Sequence, residues 1–411
     1  GIAGELPIGR QVHHEIIEKG LHSNSVIASA LVDMYAKCGN FIEAQNVFST
    51  SCNQDVVSWG AIIARYATEG HCLCVLELFR KMHMEGVKPV KTIFLCVLKM
   101  CSILTDLSWG SLIHSEIIES GLEKDLLLGN ALINLYAKSA ALDDAHTLFD
   151  YLPTKDSVSW NTMMAGYTLH GLDLSALRFA ETMHLSGVEQ SKATYSNICK
   201  VCGNIGAIFQ GKLIHDWIVK DGLECNVVVG SALVDMYSKC GRLYEAYALF
   251  IELSIHDVVS WGSIISGYAQ HGQGHFALQL HETMHNEGFK SNGVIFSSVL
   301  KACASSIVIV QGRVSHDQIV RHKLEMDVVL GNALLEMYAK CGAIMEAEDI
   351  FSQIKHRTLA AWNTMLSAYV EYNQIEKGLI LYREMQLSKA IMNDVTCICI
   401  LQIGNKIGSL E

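Results

Sequence analysis

Along residues 227–257, VVVGSALVDMYSKCGRLYEAYALFIELSIHD, the apolar residues Ala232, Leu233, Met236 and Tyr237 follow helical spacing. Cys240-Gly241 then stops the period, and Leu243, Ala246, Ala248 and Leu249 restart it. The pattern predicts two short helices joined by a tight turn. A second pattern fills residues 56–90, 157–191, 258–292 and 359–393, where Ser58, Ser159 and Ser260 are placed to cap a helix beginning at the following Trp. Its second helix is expected to end at FRKMHMEGV, AETMHLSGV, HETMHNEGF or YREMQLSKA, with Gly at the C-terminal cap in three of the four. A third pattern, opening with KTIFLCVLKMC, KATYSNICKVC or GVIFSSVLKAC, occupies residues 91–125, 192–226 and 293–327.

These patterns recur as a block of 101 residues. Trp59, Trp160, Trp261 and Trp362 stand at that spacing, as do Gly129, Gly230 and Gly331, Tyr35, Tyr136, Tyr237 and Tyr338, and His13, His114, His215 and His316. Residues that recur in register serve the fold first, so the chain is a repeat protein and is read unit by unit. Each block divides into helix pairs of 31, 35 and 35 residues: 25–55, 56–90, 91–125, 126–156, 157–191, 192–226, 227–257, 258–292, 293–327, 328–358 and 359–393. Partial repeats at 1–24 and 394–411 flank these eleven, which leads us to expect a segment of a longer protein. The expected fold is all-α, one continuous right-handed α-solenoid superhelix whose first helices line the concave face.

Half of the residues, 50%, are hydrophobic, which suits units that bury two faces against their neighbours. No apolar run reaches the roughly 18 residues of a membrane span, so a soluble chain with no membrane partner is expected. Of the 14 cysteines, Cys101, Cys202 and Cys303 recur at 101 residues, and Cys38, Cys240 and Cys341 share another position that Ser139 fills once. A small buried residue is wanted there, which points to reduced thiols and an intracellular setting rather than a disulfide framework.

The 31, 35 and 35 lengths and the phrases ALVDMYAKCG, DVVSWG and SVLKACA resemble the pentatricopeptide repeat family, and within it the short/long mixed subclass of land-plant organelles. The resemblance spans essentially the whole chain. It implies binding of single-stranded RNA, one base per repeat, by the fifth residue of each repeat and the last. Carried onto this chain, the pairs are Ser29 with Asp55, Asn130 with Asp156, Asn161 with Ser191, Ser196 with Asn226, Ser231 with Asp257, Ser297 with Asp327, Asn332 with Thr358, and Asn363 with Asn393. Gly60 with Val90, Leu95 with Asp125, and Gly262 with Asn292 fall outside the scheme and are expected to be silent. A carboxylate only accepts hydrogen bonds and suits the N–H groups of guanine or uracil, whereas an amide complements the mixed edge of adenine. In the family's code Ser with Asp implies G, Asn with Asp U, Asn with Ser C, and Ser with Asn A. Val57, Val158, Val228 and Val259, at second positions, would sandwich the bases; their other reading is ordinary helix packing. The fifth-position residues have a second reading too, as solvated surface.

A net charge of −11 speaks against a general nucleic-acid binder but not against a stack that reads bases, since Asp55, Asp156, Asp257 and Asp327 are reading positions. Lys37, Lys138, Lys239 and Lys340 could supply phosphate contacts or simply keep the surface soluble. Two motifs imitate catalytic zinc sites. His281-Glu282-Thr283-Met284-His285 spells HExxH, yet its residues occupy slots that Ala180, Met183 and His184 fill one block away and Phe79, Met82 and His83 two blocks away, so a structural role is expected. His114-Ser115-Glu116 and Cys199-Lys200-Val201-Cys202 imitate the halves of a nucleobase deaminase, but they lie on different helix pairs and Ile198 replaces the expected Pro. No metal, no cofactor and no catalysis are expected of this segment. The resemblance implies a mitochondrial or chloroplast protein that directs C-to-U editing or other processing of an organellar transcript, with editing or processing factors as partners. The competing reading is a helical scaffold that binds a protein or peptide; a zinc hydrolase acting through HETMH comes third.

Overall fold

The computed structural model describes residues 6–21, 25–38, 40–50, 55–324, 328–388 and 390–408. They form 24 α-helices, and no strand occurs among them. Between α1 (Leu6–Glu18) and α24 (Asp394–Gly408), the other helices follow one another as hairpins of three kinds. The first kind pairs a 13-residue helix, α2 (Ser25–Lys37), α8 (Leu126–Lys138), α14 (Val227–Lys239) or α20 (Val328–Lys340), with a 10-residue one. Those shorter partners are α3 (Phe41–Thr50), α9 (Leu142–Tyr151), α15 (Leu243–Glu252) and α21 (Ile344–Gln353). The second kind joins α4 (Val56–Thr68) to α5 (Cys72–Met84), α10 (Ser157–Leu169) to α11 (Asp173–Leu185), α16 (Val258–Gln270) to α17 (Gly274–Asn286), and α22 (Leu359–Glu371) to α23 (Ile375–Leu387). The third joins α6 (Lys91–Leu104) to α7 (Leu107–Glu119), α12 (Lys192–Ile205) to α13 (Ile208–Lys220), and α18 (Gly293–Ser306) to α19 (Ile309–Arg321). The whole is an all-α solenoid architecture of helix-turn-helix repeats. Its contacts group into two units, Gly1–Asn197 and Ile198–Glu411.

Local chemistry explains the boundaries. Gly241, at φ +73°, reverses the chain after α14 in the left-handed region that glycine enters without a Cβ clash. At the ends of α6 and α18 the same conformation is forced on Thr105 (φ +53°) and Ile307 (φ +55°), where β-branched side chains are strained. Helix starts correct one expectation. The second-type helices begin three residues before Trp, at Val56, Ser157 and Val258, and their caps are Asp55, Asp156 and Asp257. Ser159 and Ser260 are third helical residues whose hydroxyls close a capping box with the aspartates. Ser58 likewise receives its cap from Asp55, Ser58 N lying 2.9 Å from Asp55 Oδ1.

The recurring residues are the joints between hairpins. Within the first unit Trp59 packs edge-on against Phe48 at 4.5 Å and Trp160 against Phe149 at 4.8 Å; within the second, Trp261 meets Phe250 at 4.7 Å and Trp362 meets Phe351 at 5.0 Å. Each pair docks the first helix of a second-type hairpin on the short helix before it, and such aromatic contacts add about 0.5–1.5 kcal/mol beyond area burial. The recurring His and Tyr find each other, with Nδ1 to hydroxyl distances of 2.8–2.9 Å for His13–Tyr35, His114–Tyr136, His215–Tyr237 and His316–Tyr338. Burial lowers the His114 and His215 imidazoles below their usual range. Glycine allows the first helices to close up, since a Cβ at Gly267 would stand 2.5 Å from Ser238 Cβ. Cys101, Cys202 and Cys303 are buried, and no described cysteine is disulfide-bonded. Burial raises the Cys101 and Cys303 thiols to about 12. No helix among the described residues is long and apolar enough to cross a membrane.

Candidate nucleic-acid interface

A fifth-position residue sits on the second turn of a first helix, and the residue 26 or 30 positions later caps the next first helix. Parallel packing of successive first helices therefore brings the two side chains together. Within the first unit Asn130 Nδ2 donates to Asp156 Oδ1 at 3.2 Å, and Asn161 Nδ2 to Ser191 Oγ at 3.4 Å. Within the second, Ser231 Oγ donates to Asp257 Oδ1 at 3.4 Å, Asn332 Nδ2 to Thr358 Oγ1 at 3.2 Å, and Asn363 Nδ2 to Asn393 Oδ1 at 3.0 Å. Five of the eight expected pairs are thus joined by a hydrogen bond. Ser196 has a buried hydroxyl with no partner among the described residues, and Asn226 caps α14. The side chains of Ser29 and Asp327 lie outside the described residues, while Asp55 caps α4.

The fifth-position residues are not solvated surface. Asn130, Ser231 and Asn363 are only 7%, 3% and 8% exposed. The fifth-position amides are half used: Asn130, Asn161 and Asn332 each donate through nitrogen and leave a buried oxygen with no partner among the described residues. A buried acceptor left open is costly unless something else fills it. Asn363 differs, because Thr396 Oγ1 donates to its Oδ1 at 2.7 Å and closes it off. The second-position Val57, Val158, Val228 and Val259 are 67%, 54%, 58% and 63% exposed, so packing does not account for them. Val294 and Val329, whose role the sequence reading did not single out, flank a cleft of about 590 Å³ that Asn292, Ser297 and Lys301 also line. A similar cleft of about 600 Å³ holds Asn363 and Asn393 together with Glu336 and Glu371.

The last-position residues carry a double load. Asp156 Oδ1 accepts from Ser159 N at 2.9 Å and from Ser159 Oγ at 2.9 Å besides the Asn130 amide. Burial pushes its carboxyl up, but these hydrogen bonds prevail and hold it below the usual carboxylate range. It is therefore an ionised acceptor at neutral pH. Asn292, Thr358 and Asn393 cap α18, α22 and α24 in the same manner, at 3.0, 3.2 and 3.1 Å. Val90 offers no side-chain cap, whereas Asp125 caps α8 and is also held by Lys91 at 2.6 Å.

The lysines at the end of the short-type first helices divide. Lys239 pairs with Asp235 and Lys340 with Glu336, each at 2.7 Å and one turn apart; Lys138 is exposed and has Asn134 where the others have an acid; Lys37 lies outside the described side chains. Neither catalytic imitation is assembled. His281 is buried, its Nε2 2.8 Å from Ser291 Oγ, and His285 Nε2 reaches the same hydroxyl at 3.3 Å, while Glu282 is exposed. No group of three potential metal ligands occurs among the described residues. His114 is taken by Tyr136, and Cys199 and Cys202 are buried core.

The PPR repeat profile matches residues 26–50, 57–87, 158–188, 231–257, 259–289, 332–359 and 360–389. A pentatricopeptide repeat-containing protein of Arabidopsis thaliana is 31% identical over 411 residues, covering 100% of this chain and 60% of the relative. A chloroplastic one from the same plant is 32% identical, covering 93% and 62%, and a mitochondrial one is 33% identical, covering 100% and 40%. The chain thus spans roughly half the length of these relatives. Among solved structures, the crystal structure of the maize pentatricopeptide repeat protein PPR10 shares the fold with a TM-score of 0.56 at 16% identity, covering 99% of this chain and 65% of that one. Repeat pattern, hairpin architecture and kinship agree: the chain belongs to the pentatricopeptide repeat family.

Proposed function

We propose that this chain binds single-stranded RNA in sequence-specific fashion, one base per repeat, and belongs to the family's short/long mixed subclass. The observation that carries this reading is the recurring fifth-position side chain bonded to the next helix cap, which at Asn130, Asn161 and Asn332 leaves a buried amide oxygen open on helices whose second residues, Leu127, Val158 and Val329, are exposed. Such a unit offers a base both an apolar face and an edge to pair with. In the family's orientation, amino-terminal repeats toward the 5′ end, the target is 5′-GNNUCAGNGYY-3′, where N marks silent repeats and Y a pyrimidine. The A at Ser196 and the G at Ser297, both in third-type repeats, are the softest letters. The chain selects the transcript and leaves chemistry to other factors or other parts of the protein, in C-to-U editing or another step of organellar RNA processing. Names of relatives support a mitochondrial or chloroplast setting.

The test is selection from a randomised RNA pool by the purified chain. Enrichment of UCAG in register with the outer letters is expected. An unenriched pool, with tight retention of a peptide library instead, would replace this reading with the protein-scaffold one.

A further inference from the structure

Counted from its start, each first helix places its ninth residue one turn beyond the fifth, on the same face. In the short-type helices α2, α8, α14 and α20 that residue is Asp33, Asn134, Asp235 or Glu336; in the second-type helices it is Ala64, Ala165, Ser266 or Ser367. In the third type it is always lysine: Lys99, Lys200 and Lys301. All three are exposed, and none makes an ion pair among the described residues. Moreover α6, α12 and α18 contain no acidic residue at all, in a chain whose net charge is −11. Lys301 shows what this position faces. It lines the cleft between Val294 and Val329 beside Ser297, the fifth-position residue of its own helix, and Asn292, the cap before it.

The lysines expected from the sequence to meet phosphate are in a different state. Lys239 and Lys340 are held by carboxylates on the preceding turn, so each pair presents no net charge. The cleft at Asn363 is lined by the Lys340–Glu336 pair and by Glu371, so it offers a phosphodiester no net positive charge. Lys99, Lys200 and Lys301 therefore stand, with Lys138, among the exposed first-helix cations that no carboxylate neutralises among the described residues, and they alone recur at one position in every third-type repeat.

We propose that Lys99, Lys200 and Lys301 are the phosphate-contacting residues of the groove, so that the phosphodiester backbone is gripped at the third-type repeat of each block while the other two repeats read bases with little charge. This rests on the RNA reading above. It also accounts for third-type pairs that read poorly, such as Leu95 with Asp125: their repeat holds the strand by its backbone. An acidic chain then binds RNA through a few placed cations rather than a basic surface.

The test compares salt dependence. Binding of GAAUCAGAGUU is measured between 50 and 150 mM salt for the wild-type chain, for K99Q/K200Q/K301Q, and for the control D235N/K239Q. Each phosphate contact to a single strand contributes about 0.7 to the slope of log affinity against log salt. Loss of three should flatten the slope by about 2, so that over this range wild type loses about tenfold more affinity than the triple variant. The control should keep the wild-type slope. A triple variant that binds this RNA with an unchanged slope overturns the assignment and leaves sequence recognition standing. Failure of the wild-type chain to bind any RNA removes the RNA reading and this inference with it.

Discussion

Replacing Asp257 with Asn separates the two tasks that one side chain performs. Asp257 Oδ1 accepts from Ser260 N at 2.7 Å to cap α16 and from Ser231 Oγ at 3.4 Å to complete the proposed reading pair. Asn keeps an equivalent oxygen and caps about as well as Asp; only the charge beside the helix N-terminus is lost, worth about 0.3–1 kcal/mol. Asp257→Ala removes the cap outright, at a cost of about 1 kcal/mol within a range of 0.5–2. The Asn variant should thus stay folded, with a urea midpoint close to wild type and clearly above that of the Ala variant. What changes is the outward chemistry, because an amide brings a donor where a carboxylate had only acceptors. In competition between GAAUCAGAGUU and GAAUCAAAGUU, wild type should favour the first and Asp257→Asn the second. One recognised base is worth about 1–3 kcal/mol in DNA readout, which corresponds to about 5- to 150-fold. A folded Asn variant that still prefers G would show that Asp257 is a helix cap and nothing more.

Two further outcomes follow from the core. Burial, aided by His285, lowers the His281 imidazole to about 4, below its ordinary 6.5, so the folded state favours the neutral ring. Its contribution is complete above about pH 6.5 and is lost as pH falls toward 4, amounting to about 2 kcal/mol between pH 7.5 and 5; His281→Phe, mimicking Phe79 at the same register, should make urea midpoints at those pH values converge, and an undiminished gap would refute the assignment. Ile307 holds φ +55° where the matching Gly206 holds +66°, and its side chain is exposed. Relief of left-handed strain, about 1–2 kcal/mol per residue, should make Ile307→Gly more stable by about 1 kcal/mol after the loss of chain entropy, read as a raised thermal midpoint; a lowered one would count against strain at this turn.

Helix positions could be read from the chain because apolar spacing and the 101-residue register reinforced each other, as at Met236, Tyr237 and Trp261. The start of the second-type helix could not. In Asp257-Val-Val-Ser260 either polar residue can cap, and only the backbone shows that Asp does so while Ser closes the box from inside. The fifth positions were visible as Ser and Asn amid nearly invariant surroundings, but their depth was not: a polar residue at 7% exposure looks in sequence like a solvated one. The pairing of His215 with Tyr237 was hidden because both recur with the block, so register alone gives no clue that residues 22 apart meet. For Lys239 the signal was present, an acid four residues earlier on a helix, and it bears directly on which lysines remain available to RNA.

Since the last residue of a repeat must cap the helix that follows, its alphabet is narrowed to Asp, Asn, Ser and Thr wherever the cap is made by a side chain. These amino acids are joined through Asn and Ser by single-nucleotide codon changes, and they cap within a few tenths to about 1 kcal/mol of one another. On the proposed reading, a lineage can therefore wander from one target letter to the next without passing through an unfolded intermediate. On that reading, specificity is free to evolve because the residue that changes it is never released from its duty to the fold.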